Sequence, residues 1–225
     1  MFVAGTDTTT IITEWILAEL LHHPHIQSKL QIELDTIIGT KRMVEEADLS
    51  NLTYLHAVIC EGYCLHPSAP LMLPHSNLEP CKVDGYYISA NSHVFINIWA
   101  ICRDPTIWNS PESFNPERFC KTNTQADVQI GNERSMVEID YKGLDFELLP
   151  FGYGRRICPT MQSATLTVSL AVAQLVHGFR WTLTDGHASI DMDMRERFTL
   201  SLQMKSPLYR VCCEARLHMK VYGSL

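Results

Sequence analysis

The stretch FGYGRRICPT, Phe151 to Thr160, holds Cys158 in a loop of glycines and arginines just ahead of an apolar, helix-like run. A thiolate metal ligand needs its negative charge stabilised while it stays within reach of the metal. Cys158 has the ingredients: the preceding glycines let backbone N–H groups approach the sulfur, and a helix N-terminus follows. Arg155 and Arg156 add positive charge suited to the carboxylates of a bound cofactor. The plainer alternative is a buried, inert cysteine beside two surface arginines. A second candidate lies in AGTDT, Ala4 to Thr8, where Asp7 sits beside Thr8. A carboxylate next to a hydroxyl relays protons and orders water, although the same residue types also cap helices.

These residues need elements to position them. Apolar residues recur at helical spacing from Met1 to Leu21, including Ile11, Ile12, Trp15, Ile16 and Leu20, and Pro24 closes the segment. They predict a long, mostly buried helix that carries Asp7 and Thr8, with Gly5 inside it inviting a reason such as close approach by a ligand. A second helix is expected from Pro24 through Ile26, Leu30, Leu34 and Ile37 to Gly39 as cap. Its other face, Gln27, Lys29, Glu33 and Asp35, is expected in solvent. A third helix is expected from Asn51 to Leu65, stopping before Pro67.

The period changes between Lys82 and Ile98, where Asp84-Gly85 predicts a hairpin or small sheet. Arg103 to Phe119, dense in proline, aspartate and asparagine, reads as an ordered irregular loop, and the polar run Lys121 to Tyr141 as the most mobile stretch. A last helix is expected over Met161 to His177, capped by Gly178. Strands are expected around Arg180–Thr184, Phe198–Met204 and Leu208–Cys213. The order is that of a mainly α chain with small β-sheets, an α+β class, and unlike a doubly wound sheet.

The chain has 225 residues, 46% hydrophobic and 19% charged, enough apolar content for a core and against disorder. Net charge is -7 and no basic stripe is interleaved with aromatics, which argues against a nucleic-acid partner. Eight cysteines lie without CxxC spacing, pointing to a reducing compartment rather than to a zinc ribbon or redox couple. Nothing resembles a signal peptide, and the apolar runs Val94–Cys102 and Leu166–Val176 fall short of the roughly 20 residues of a membrane span.

FGYGRRIC matches FxxGxRxC, the haem-ligand signature of the cytochrome P450 haem-thiolate monooxygenases, through Phe151, Gly154, Arg156 and Cys158. AGTDT resembles the oxygen-activation stretch of that family's long central helix, and NPERF, Asn115 to Phe119, its meander motif. The three occur in the family's order. The surrounding text, such as WAICRDPTIW, is most similar to plant microsomal members, with some likeness to flavonoid 3′-hydroxylases. The match runs through nearly all of residues 1–225, read as one partial domain with its ligand loop at 150–160, and corresponds to the C-terminal half of a typical member. The N-terminal half and membrane anchor of such members are not in this sequence.

The resemblance implies haem b, with Cys158 as proximal thiolate and metal ligand, and Phe151 and Gly154 in the ligand loop. It also implies that Arg156 and His75 reach haem propionates, and that Asp7 and Thr8 lie on the distal, oxygen-activating face. Ala4, Leu71, Leu73 and Thr199, within the segments Ala4–Thr9, Ala69–Leu73 and Phe198–Leu200, would line the substrate pocket. Electrons would come from NADPH through a cytochrome P450 reductase, with O₂ and a small organic molecule, a plant phenolic or other secondary metabolite, as substrates. Full-length members reside at the cytosolic face of the endoplasmic reticulum membrane, whereas the chain as written, lacking an anchor, is also compatible with the cytosol.

One signature is altered. The family's ExxR motif reads EGYC here, so Glu61 stands without its helical arginine and Cys64 takes that place. Arg118 of the meander is the expected remaining partner of Glu61. Thr160, where glycine is usual, and Tyr153, where a small residue is common, are expected to crowd the loop. These departures support an alternative: a truncated, catalytically silent member, or a pseudogene product, with weak or no haem binding.

Overall fold

The computed structural model describes residues 2–120, 140–142, 145–184, 192–199, 201–209 and 211–217. Most of Lys121 to Tyr141, together with Leu200 at the end of one expected pocket segment, therefore lies outside the described residues. Helix α1 spans Phe2–His22, and Pro24 opens α2, Pro24–Ile37, at a position where the missing N–H is no loss. After Ile38 the chain turns at Gly39, whose φ of 77° is open to glycine at no steric cost. Helix α3, Thr53–Leu65, ends ahead of Pro67, and α5, Met161–Gly178, follows the cysteine loop. Gly178 is the last helical residue rather than a cap beyond it. A four-residue helix, α4, Ile98–Ile101, begins at the last residue of the expected sheet region and fills a stretch to which the sequence assigns no element, started by the Asn97 side chain accepting from the Ala100 amide.

Helices α1, α2, α3 and α5 bury one core, with Ile12, Ile16 and Leu20 meeting Leu30, Leu34, Val58, Ile59, Val168, Val172 and Val176. Gly62 sets the approach of α1 to α3. A Cβ there would stand 2.5 Å from Ile16 Cγ1, so the glycine that weakens a helix interior is here required by packing.

The strands form two-residue to five-residue antiparallel pairs. Strand β1 (His75–Ser76) pairs with β4 (His93–Val94), and β2 (Cys81–Val83) with β3 (Tyr86–Ile88). Asp84 and Gly85 both take positive φ, the turn that Asp-Gly predicts. Strand β5 (Phe179–Leu183) pairs with β8 (Val211–Ala215), and β6 (Glu196–Phe198) with β7 (Leu202–Met204). The run expected as one strand over Phe198–Met204 is thus the end of one strand, a turn and another strand.

The polar face of α2 is only partly in solvent as expected, with Lys29 exposed and the others engaged by distant segments. Gln27 is buried and clamps Trp181 of β5, donating to its carbonyl at 3.2 Å and accepting from its amide at 3.1 Å. Asp35 pairs with Arg216 at 2.6 Å and Lys29 with Glu117 at 2.7 Å. Glu33 accepts from the amides of Tyr54 and Leu55 at 2.6 and 2.9 Å, capping α3 from another helix. Two amides of buried residues would otherwise lack partners at that helix start. A helical period assigns charged residues to water by default; it does not register partners brought in from distant sequence.

Candidate functional site

The cysteine loop is held by its own backbone. The Cys158 amide donates to the Phe151 carbonyl at 2.9 Å, and the Ile157 amide to the Gly154 carbonyl at 3.1 Å. Gly152 and Gly154 sit at φ of 76° and 70°, conformations a side chain would strain. Cys158 is half-buried between a tight 3-10 turn, Gly154–Arg156, and the start of α5. Its sulfur lies 3.4 Å from the Thr160 hydroxyl, which would donate to a thiolate. Thr160 stands at the N-cap of α5 without crowding the sulfur, and Tyr153 swings outward, 55% exposed, with its ring centroid 4.8 Å from that of Phe146. The protein side of the loop accommodates both side chains.

One side of this loop is open. A Cβ on Gly154 would meet nothing within 4 Å, and Arg155 and Arg156 are exposed beside it. A soft sulfur ligand on a loop that also carries two exposed guanidinium groups fits a flat metal cofactor that carries carboxylates. Phe151 anchors the loop from behind, its ring centroid 5.2 Å from Tyr63 of α3 and 6.2 Å from Tyr141.

The turn after α3 connects the other candidates. Ser68 donates to the Thr8 carbonyl at 3.5 Å and accepts from the Leu202 amide at 3.0 Å. Pro70 and Leu71 line an apolar cleft of about 270 Å³ with Asn97, Trp99, Phe198 and Leu202. Met72, at φ 54°, sends its side chain onto Gly152, where a Cβ would come within 2.6 Å of its terminal carbon. Residues 68 to 72 therefore touch the start of α1, the cleft and the cysteine loop.

The structure brings Leu71 together with Phe198, from the expected pocket segments. Ala4, Leu73 and Thr199 are exposed and do not line that cleft. Asp7 is exposed and Thr8 half-buried, its hydroxyl donating back to the Ala4 carbonyl at 2.8 Å. A Cβ on Gly5 would enter open space, so no protein neighbour accounts for that glycine. His75 is half-buried on β1, opposite Val94. Met72 and Ser68 escaped the sequence reading; neither the positive φ of a methionine nor a hydroxyl bond to residue 8 leaves a local signal.

Behind the loop, Glu61 is almost wholly buried, 1% exposed. One of its oxygens accepts from the Asn115 amide at 3.0 Å, and the other lies 2.9 Å from Arg118 Nε. That pairing is chiefly electrostatic, because the Nε–H is directed to the Asn115 carbonyl at 3.2 Å. Arg118 also donates to the carbonyls of Asn109, Ser110 and Ser113, stapling the meander loop. Cys64 is buried with its sulfur 3.8 Å from the Cys102 carbonyl and offers Glu61 no charge. Burial pushes the Glu61 carboxyl up to about 7, against the pull of Arg118.

A second buried group ties α1 to this region. His66 stacks on Trp15 at 3.9 Å between centroids, and its Nε2 meets Glu19 at 2.6 Å. Burial opposes the charge on Glu19, but hydrogen bonds from His23 and His66 outweigh it and hold the carboxyl at about 2.

A family model described as Cytochrome P450 matches residues 1–213. The chain belongs to the cytochrome P450 family. Among the curated relatives of this P450 chain, a flavonoid 3'-monooxygenase of Oryza sativa subsp. japonica is 47% identical over 208 residues, covering 92% of this chain and 38% of its own length. A flavonoid 3'-monooxygenase of Arabidopsis thaliana is 45% identical, covering 99% of this chain and 41% of its own length. A carnosic acid synthase of Rosmarinus officinalis is 44% identical over 94% of this chain and 39% of its own length. A zebra fish cytochrome P450 solved with abiraterone superposes with a TM-score of 0.78 at 31% identity, over 96% of this chain and 45% of that one. The P450 chain thus spans about two fifths of the length of its curated relatives. No helix among the described residues is long and apolar enough to cross a membrane.

Proposed function

We propose that this chain is the haem-binding C-terminal part of a plant-type P450 monooxygenase. In this reading, one atom of O₂ is inserted into a small apolar or aromatic molecule of the plant phenolic class. The observation that carries the proposal is the half-buried Cys158 thiol on a loop whose open side is flanked by Arg155 and Arg156. Bound haem supplies the redox chemistry, with electrons drawn from NADPH through a reductase.

The chain's own residues do the rest. Cys158 supplies the thiolate, and the Thr160 hydroxyl donates to the sulfur and tempers its charge. Arg156 and His75 neutralise the cofactor's carboxylates, and Phe151 and Gly154 shape the loop that presents the sulfur. Thr8 holds a hydroxyl near the cleft and Asp7 a carboxylate that exchanges protons with solvent, the pair a proton relay requires. Leu71 and Phe198 supply apolar surface for substrate. The likeness to flavonoid 3'-monooxygenases supports an aromatic substrate, and this reading assigns the complete protein to the cytosolic face of the endoplasmic reticulum membrane.

The test is the absorption spectrum of the purified chain with added haem, reduced and exposed to carbon monoxide, beside Cys158→Ala. A strongly red-shifted Soret band that disappears in the variant is expected. Its absence from folded wild-type chain overturns the proposal. A second reading, a silent member that binds haem poorly, draws on the uncharged Cys64 beside Glu61. Haem occupancy that rises in Cys64→Arg would favour it.

A further inference from the structure

Along α3, three side chains that play no part in the cysteine loop converge. His56 and Cys60 are one helical turn apart, so they share a face, and Asp140 reaches them from the segment that leads toward the cysteine loop. The ligand atoms of all three lie within 4.8 Å of one another. His56 Nε2 stands 3.9 Å from the Cys60 sulfur and 3.7 Å from Asp140 Oδ1. Zinc bonds of about 2.0–2.3 Å to nitrogen, oxygen and sulfur set ligand-to-ligand edges of roughly 3.3–3.8 Å in a tetrahedron, so side-chain adjustments of up to about an ångström would close the three atoms around the metal.

The two Asp140 oxygens are differently employed. Oδ2 pairs with Lys142 at 2.5 Å, whereas Oδ1 is buried and makes no hydrogen bond among the described residues. A buried carboxylate oxygen without a hydrogen bond is costly unless a cation sits before it, and that place is open either to the protonated His56 ring, 3.7 Å away, or to a metal bound by the neutral ring. The oxygen faces an imidazole and a thiol, the remaining two donors of a mixed nitrogen, oxygen and sulfur set.

We infer that His56, Cys60 and Asp140 form a zinc site. The His56 side chain is 38% exposed, so the metal enters from solvent and water completes the tetrahedron. Binding releases the Cys60 thiol proton to solvent as the sulfur–zinc bond forms. The site would tether residues 140–142 to α3. Tyr141 lies in that segment and packs on Tyr63 and Phe151, so the metal would stiffen the support of the cysteine loop without touching its sulfur.

Titration of the purified chain with Co²⁺ tests the assignment. One equivalent should bind with thiolate-to-cobalt absorption, which Zn²⁺ then displaces, and the signal should persist in Cys158→Ala. His56→Gln, a change at a partly exposed ring that spares the core, should weaken binding by about tenfold or more. Cys60→Ala should remove the thiolate absorption altogether. An unchanged titration in His56→Gln, or no thiolate absorption in folded wild-type chain, overturns the site.

Discussion

Glu61 makes the folded chain a worse host for a charge than water is, and that difference can be measured. Its carboxyl stands at about 7 in the fold against about 4.5 in an unfolded chain. Protons are therefore held more tightly folded than unfolded, so the contribution to stability is complete below about pH 4.5 and is lost as pH rises through about 7. At 1.36 kcal/mol for each unit, the full loss is about 3 kcal/mol, of which about 2 to 3 kcal/mol falls between about pH 5 and about pH 8. Urea unfolding of wild type and Glu61→Gln across that interval isolates the term, because other titrating groups cancel in the difference. Glu61→Gln should gain about 2 to 3 kcal/mol on wild type as pH rises, and Cys64→Arg, which adds the missing cation, should flatten the wild-type slope. A wild-type minus Glu61→Gln difference that does not change with pH would refute the account of a half-compensated carboxylate.

Two further outcomes follow from other buried groups. Glu19, held at about 2, has the opposite sign: its stabilisation is present above about pH 4.5 and lost as pH falls toward 2. Acid unfolding of Glu19→Gln should begin from a lower neutral stability and lack that part of the wild-type slope, about 3 kcal/mol in all. Glu33→Ala removes two hydrogen bonds to the first turn of α3 and should cost about 1 to 2 kcal/mol in urea unfolding, far more than an exposed helix-surface glutamate would.

Much of this molecule could be read along the chain because its signals are local. Apolar spacing gave the four principal helices, Pro24, Gly39 and Pro67 marked their ends, and Asp84-Gly85 gave the hairpin. Each depends on dihedral preferences or on which residues share a face, properties that a short window of sequence contains. The cysteine loop was equally legible, because glycines at Gly152 and Gly154 and arginines at Arg155 and Arg156 are chosen by backbone conformation and charge at those positions. The composition of EGYC likewise told that Glu61 would lack a helical cation.

The tertiary structure decided which polar residues have partners. Glu33, Gln27 and Asp35 follow the pattern of a wetted helix face, yet each is used by a segment far away in sequence. The same holds for Ser68 and Met72, whose contacts join α1, the cleft and the cysteine loop, and for Asp140, which meets His56 and Cys60 only once the chain has folded back on α3. Periodicity reports what a residue would bury or expose in its own element. Where a side chain finds a donor, a cation or a metal depends on how the elements pack, and that is fixed by the shared core of α1, α2, α3 and α5 rather than by any single stretch.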